Sequence, residues 1–150
     1  MHSCNAVRLD FRSDFRMLDF VQMVSAHLGR LAGLDDESVH WVGVAVRESV
    51  INAIKHGNCH DDRKRVYVEF TPLPAEPSAG LSICIRDEGC GFDPATLPDP
   101  LAPENVLKPT GRGIFLIRSF MDEMVLRKMP EGGMEMRMIK RVHAAQPLQS

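Results

Sequence analysis

The sequence predicts an α+β protein: a two-layer sandwich in which helices cover one face of a mixed, mostly antiparallel sheet. Two observations carry this reading. Apolar residues recur at helical spacing in two stretches ahead of residue 56, and segments of alternating character, suited to strands, are grouped around and after them. No internal repeat is present. The 150 residues, 44% hydrophobic and 25% charged, fit one soluble domain over 1–150.

The elements follow in order. Residues 5–11 alternate enough for a first strand, where the core of the domain begins; it runs to about residue 142. Ser13 is the expected N-cap of a first helix carrying Met17, Phe20, Val24, Leu28 and Leu31 at helical spacing, and Gly33 ends it. Asp35, Asp36 and Glu37 place negative charge where a second helix begins. Val39, Val42, Val46, Val50 and Ala53 line one side of that helix, and Gly57 is expected to end it. Residues 65–70 and 81–87 read as strands joined by a loop bearing proline and glycine. From 93 to 110 the chain carries prolines at 94, 98, 100, 103 and 109, and so long a loop in a compact domain predicts a functional lid or a disordered segment. A third helix opens near Gly113, and 124–129 and 134–141 form two closing strands around a turn at 130–133.

A net charge of −2 without a long basic run gives no reason to expect nucleic acid as a partner. No apolar run approaches the roughly 20 residues of a membrane span, since Arg47 interrupts the longest candidate. The N-terminus lacks the layout of a signal peptide, so a cytoplasmic protein is expected. Cys4, Cys59, Cys84 and Cys90 show no CxxC pair and no zinc spacing, and His56, Cys59 and His60 would not share a face past Gly57.

Three motifs carry chemistry. In "VRESVINAIKHGN" (46–58), Glu48 and Asn52 stand at i and i+4, opposite the valine side, with Lys55 and His56 following. A lone Glu-x-x-x-Asn is usually a solvated face; here Trp41 and Ala45 continue the row, as in the wall of a cleft. In "IRDEGCGF" (85–92), Asp87 ends a strand as a strong acceptor, and Gly89 and Gly91 let a flat ligand approach the backbone, although a tight turn has the same pattern. In "PTGRGIF" (109–115), Gly111 and Gly113 stand at the mouth of a helix whose free N–H groups suit phosphate. It is not a P-loop, because no Gly-Lys-Ser/Thr follows.

In this order the motifs resemble the N box and the two glycine boxes of the Bergerat ATP-binding fold, shared by gyrase-type ATPases and histidine kinases. "NAIKHGN" and "GRGIFLIRSFMDEM" on a short chain most resemble the anti-sigma factor serine/threonine kinases. The resemblance covers roughly residues 10–142. It implies ATP and Mg²⁺ as cofactors, with Asn52 as the metal ligand, Asp87 as acceptor for the adenine amino group and Glu48 as the base that orients the attacking hydroxyl. Gly89, Gly91 and Phe92 would shape the adenine pocket and begin the lid. Thr110, Gly111, Arg112, Gly113 and Ile114 would face the phosphates, and Lys55 and His56 would stand at the cleft. Lys108 and Arg112 are the candidate γ-phosphate contacts; family members often carry an apolar residue in place of Arg112 and an arginine within the lid. The resemblance also implies an anti-sigma antagonist as phosphorylation substrate, a sigma factor as second partner, and a homodimer through the first strand or helix. The alternative is a nucleotide-gated anti-sigma module without phosphotransfer; Glu48 favours the kinase, since a docking switch needs no base. A histidine kinase would require an acidic neighbour after His27, and a gyrase-like ATPase a transducer domain.

Overall fold

The computed structural model describes residues 5–76, 78–89 and 117–143. Strand β1 (Val7–Arg12) leads through a 3-10 turn (Phe15–Met17) into α1 (Leu18–Leu31), followed by α2 (Asp36–Asn52) and a π-helical turn (Ala53–Gly57). Strands β2 (Arg65–Leu73), β3 (Gly80–Asp87), β4 (Glu123–Lys128) and β5 (Met134–Arg141) complete a five-stranded sheet of order β1-β2-β3-β5-β4. Every neighbouring pair is antiparallel. The α+β sandwich read from the sequence is the observed architecture, with the described strands paired only antiparallel where a mixed sheet was expected.

Local chemistry explains the helix ends. Asp14, not Ser13, caps the 3-10 turn, accepting from the Arg16 N–H at 2.9 Å. The Ser13 hydroxyl instead donates to the Lys64 carbonyl at 2.8 Å. Asp35 caps α2 as expected, accepting from the Ser38 N–H at 2.7 Å. Of the apolar face expected for α1, Met17, Val24 and Leu28 pack half-buried against the core, but the face is centred to one side of it. Leu18, Val21, Ser25 and Gly29 are buried, while Phe20 and Leu31 are 44% and 72% exposed. Gly29 draws the face round: a Cβ there would lie 3.3 Å from the Val39 side chain, so α1 seats on α2 at its smallest residue.

The valine side of α2 is the core. Val39, Val42, Val46 and Val50 are all buried against the sheet, each contributing about 1.5–3 kcal/mol. Facing them are Val66, Val68 and Phe70 of β2, Leu81, Ile83 and Ile85 of β3, and Met136 and Met138 of β5, placed on one face by strand alternation. Residues 117–120 are helical and are held to α2 by Trp41, whose ring stacks on Phe120 at 3.8 Å and 9°. Among the described residues no helix is long and apolar enough to cross a membrane.

The second helix departs from expectation at its end. Its α winding stops at Asn52, and Ala53–Gly57 wind as a π-turn closed by the Asn58 N–H on the Ala53 carbonyl at 2.7 Å. Such wide turns recur at functional sites.

Candidate nucleotide site

Glu48 and Asn52 stand one turn apart on α2, about 6 Å along its axis. Both are half-buried, and neither side chain makes a hydrogen bond or ion pair among the described residues. Half-burial is what sets Glu48 apart: Asp36, Glu37, Asp62, Glu76 and Glu131 also make no side-chain hydrogen bond or ion pair among the described residues, but all five are exposed. Lys55 and His56 are exposed on the π-turn, whose wider winding takes them off the α-helical row.

Asp87 ends β3 and is 8% exposed. Its Oδ1 accepts from the Gly89 N–H at 3.0 Å and the Met134 N–H at 3.1 Å. Burial pushes its carboxyl above the usual carboxylate range, against the pull of those two N–H groups and the charge of Lys64. Oδ2 points at Gly57 and accepts no hydrogen bond among the described residues. A Cβ on Gly57 would stand 2.0 Å from it, and a Cβ on Gly89 would stand 1.5 Å from the Gly57 carbonyl oxygen. Glycine is required at both positions by close approach. The N-box turn and the first glycine motif therefore form one packed unit, five residues beyond Asn52.

Of the expected site, Asp87 and Gly89 meet the turn that follows Asn52, while Glu48 and Asn52 stand on α2 ahead of it. Gly91, Phe92, Lys108, Thr110, Gly111, Arg112, Gly113 and Ile114, and the lid over 93–110, lie outside the described residues. The sequence reading missed the backbone donor of Met134 and the part played by Gly57 and Asn58. The signal for the last two was present in "HGN", where a glycine followed by an amide sits just past a helix. Among the described residues no group of three or more His, Cys, Asp or Glu could hold a metal ion. A site using one Asn oxygen, phosphates and water does not need such a group, and the Asn52 amide, without a partner among the described residues, fits Mg²⁺ held in that way. Likewise Oδ2 of Asp87, which accepts nothing among the described residues, fits an amine donor from an adenine ring.

A histidine kinase-like ATPase domain matches residues 12–140, and the chain belongs to that family. Within it the chain is similar to the serine-protein kinase RsbW of Staphylococcus aureus. With the proteins of strains JH9 and Newman it is 30% identical over 121 residues, covering 77% of this chain and 73% of the relative. The fold also matches a crystal structure of the RsbU and RsbW domains of Rv1364c from Mycobacterium tuberculosis, with a TM-score of 0.64 at 14% identity. That match covers 96% of this chain, which spans 34% of the larger protein.

Proposed function

We propose that this protein is an Mg-ATP-dependent serine/threonine kinase of the anti-sigma type, which phosphorylates an antagonist protein in a partner-switching circuit. The observation that carries the reading is the Glu48–Asn52 pair. A half-buried carboxylate without a partner among the described residues, one turn from an amide likewise without one among them, is poised for chemistry. The kinship with proteins named serine-protein kinases supports the same activity.

Each residue then has a task. Asp87 accepts the exocyclic amine of adenine at Oδ2, while Oδ1 stays fixed by two backbone N–H groups. Asn52 offers its side-chain oxygen to Mg²⁺, which when bound draws charge from the phosphates. Glu48 orients a serine or threonine hydroxyl of the partner and takes its proton as the hydroxyl oxygen bonds to the γ-phosphorus and the bond from that phosphorus to the bridging oxygen of ADP breaks. The antagonist is the phosphoryl acceptor, a sigma factor is the second partner, and the protein acts in the cytoplasm as a homodimer.

Incubation with γ-labelled ATP, Mg²⁺ and candidate antagonists tests this. The expected result is label on a serine or threonine of one partner. Nucleotide-dependent binding without transfer to any partner would replace the kinase with a docking module.

A further inference from the structure

Asn58 closes the N-box motif, yet none of the described site residues is more enclosed: it is 0% exposed. Its amide is used at both ends. Nδ2 donates to Ser13 Oγ at 2.8 Å and to the Arg65 carbonyl at 3.0 Å, and Oδ1 accepts from the Glu88 backbone N–H at 2.8 Å. One side chain thus ties the end of β1, the start of β2 and the residue directly after Asp87 to the π-turn. The Glu88 carboxylate braces the same corner, accepting from the Arg65 N–H at 2.6 Å and the Tyr67 hydroxyl at 3.0 Å. A buried amide satisfied at both ends fixes its partners in one arrangement, and its loss leaves them unpaired. The group gripped here is the amide next to the carboxylate that faces the proposed base.

We propose that Asn58 is a positioning residue for adenine selection: through the Glu88 N–H it holds the Asp87 carboxylate so that Oδ2 meets an exocyclic amine. This rests on the reading of Asp87 as the adenine acceptor.

The test compares ADP with inosine diphosphate, which carries a carbonyl where adenine carries its amine. Calorimetry on the full chain gives both affinities for wild type, Asn58→Ala, Asn58→Asp and Asp87→Ala. Asn58→Ala is expected to weaken ADP binding by roughly ten- to a hundredfold and to leave inosine diphosphate unchanged, so the preference collapses. Asn58→Asp keeps an oxygen for the Glu88 N–H and loses both donors; it should melt earlier yet hold the preference within about threefold of wild type. A structural role alone would lower both affinities together in both variants, and that result overturns the proposal, as does a folded Asn58→Ala with its preference intact. If Asp87→Ala keeps the preference, the reading of Asp87 itself fails. If Asp87→Ala loses it while Asn58→Ala keeps it, only the role of Asn58 falls. Should Asn58→Ala not fold, Asn58→Ser is measured with the same expectations, because its hydroxyl ends short of the Glu88 N–H. If neither folds, Asn58 is a scaffold residue and the proposal is wrong.

Discussion

Gly57→Ala adds one methyl group where the turn packs on the Asp87 carboxylate. The new Cβ would lie 2.0 Å from Asp87 Oδ2 and 2.3 Å from its Cγ, where carbon atoms do not approach neighbours within 3.0 Å. The carboxylate must therefore retreat by at least the difference, 3.0 − 2.0, about 1 Å. Overpacking of that kind costs about 1–3 kcal/mol of stability, which the rest of the core can absorb. Its effect on ligand binding is more selective. A hydrogen bond of ordinary length near 2.9 Å stretched by about 1 Å is no longer one, and an unpaired buried donor costs about 1–3 kcal/mol. ADP affinity should then fall by roughly 5- to 150-fold, while inosine diphosphate, which brings no amine to Oδ2, changes little. Calorimetry with both nucleotides, with circular dichroism to confirm the fold, gives the answer. A folded Gly57→Ala protein with wild-type ADP affinity would refute the coupling of this turn to the nucleotide.

The other variants separate the roles within the site. Glu48→Gln keeps size and hydrogen bonding but removes the base, so phosphotransfer should fall by about 10²–10⁴-fold with nucleotide affinity nearly unchanged; equal transfer rates in a labelling assay would remove Glu48 from the chemistry. Asn52→Ala should weaken Mg²⁺-dependent nucleotide binding as well as turnover, visible as a loss of the Mg²⁺ enhancement in titrations with and without the metal. The pKa of Asp87 is raised by burial, so its charge costs stability above the folded pKa and that cost disappears on acidification below the unfolded value. Asp87→Asn, which keeps an oxygen for Gly89 and Met134, should accordingly melt no lower than wild type at neutral pH and yet lose ADP. In wild type, ADP affinity should decline on acidification at a pH above the usual carboxylate range, and a flat profile down to that range would contradict the assignment.

Much of this was legible in the sequence because it rests on period and end chemistry. Val39, Val42, Val46 and Val50 of α2 repeat at helical spacing and all four are buried, and Asp35 announces its cap. Met134–Arg141 alternates so regularly that its span is the one expected. What was hidden depends on distant contacts. Phe20 and Leu31 fit a helical stripe as well as Leu18 and Val21 do; the choice is made by where Gly29 lets α2 approach. The π-turn has no periodic signature, and neither does the pairing of β3 with β5 that brings Met134 to Asp87. Glu48, Asn52 and Asp87 could be named because function constrains their types, whereas Asn58 looks like any residue after a helix.

The exit from the π-turn shows what this compact corner costs and gives a test that leaves the ligand aside. Between Asn58 and β2 the chain must reverse within a few residues, and it does so through two successive non-glycine residues with left-handed backbone, Cys59 at φ 52 and His60 at φ 59. For an L-residue this conformation costs roughly 1–2 kcal/mol. The Asn58 network, buried and fully paired, offsets that strain. Cys59 is exposed, and among the described residues its side chain makes one hydrogen bond, a long one of 3.9 Å from Sγ to the His56 carbonyl. Cys59→Gly therefore removes strain and little else. Against the gain stands the greater freedom of glycine in the unfolded chain, about 0.5–1 kcal/mol. The balance is a stabilisation of about 0–1.5 kcal/mol, or a rise in Tm of up to about 6 °C for a chain of this size. ADP affinity should not change, because Gly57 and Asn58 stay where they are. Differential scanning calorimetry decides: a lower Tm for Cys59→Gly would mean that the left-handed turn is not strained, and that the Asn58 clamp has no such cost to offset.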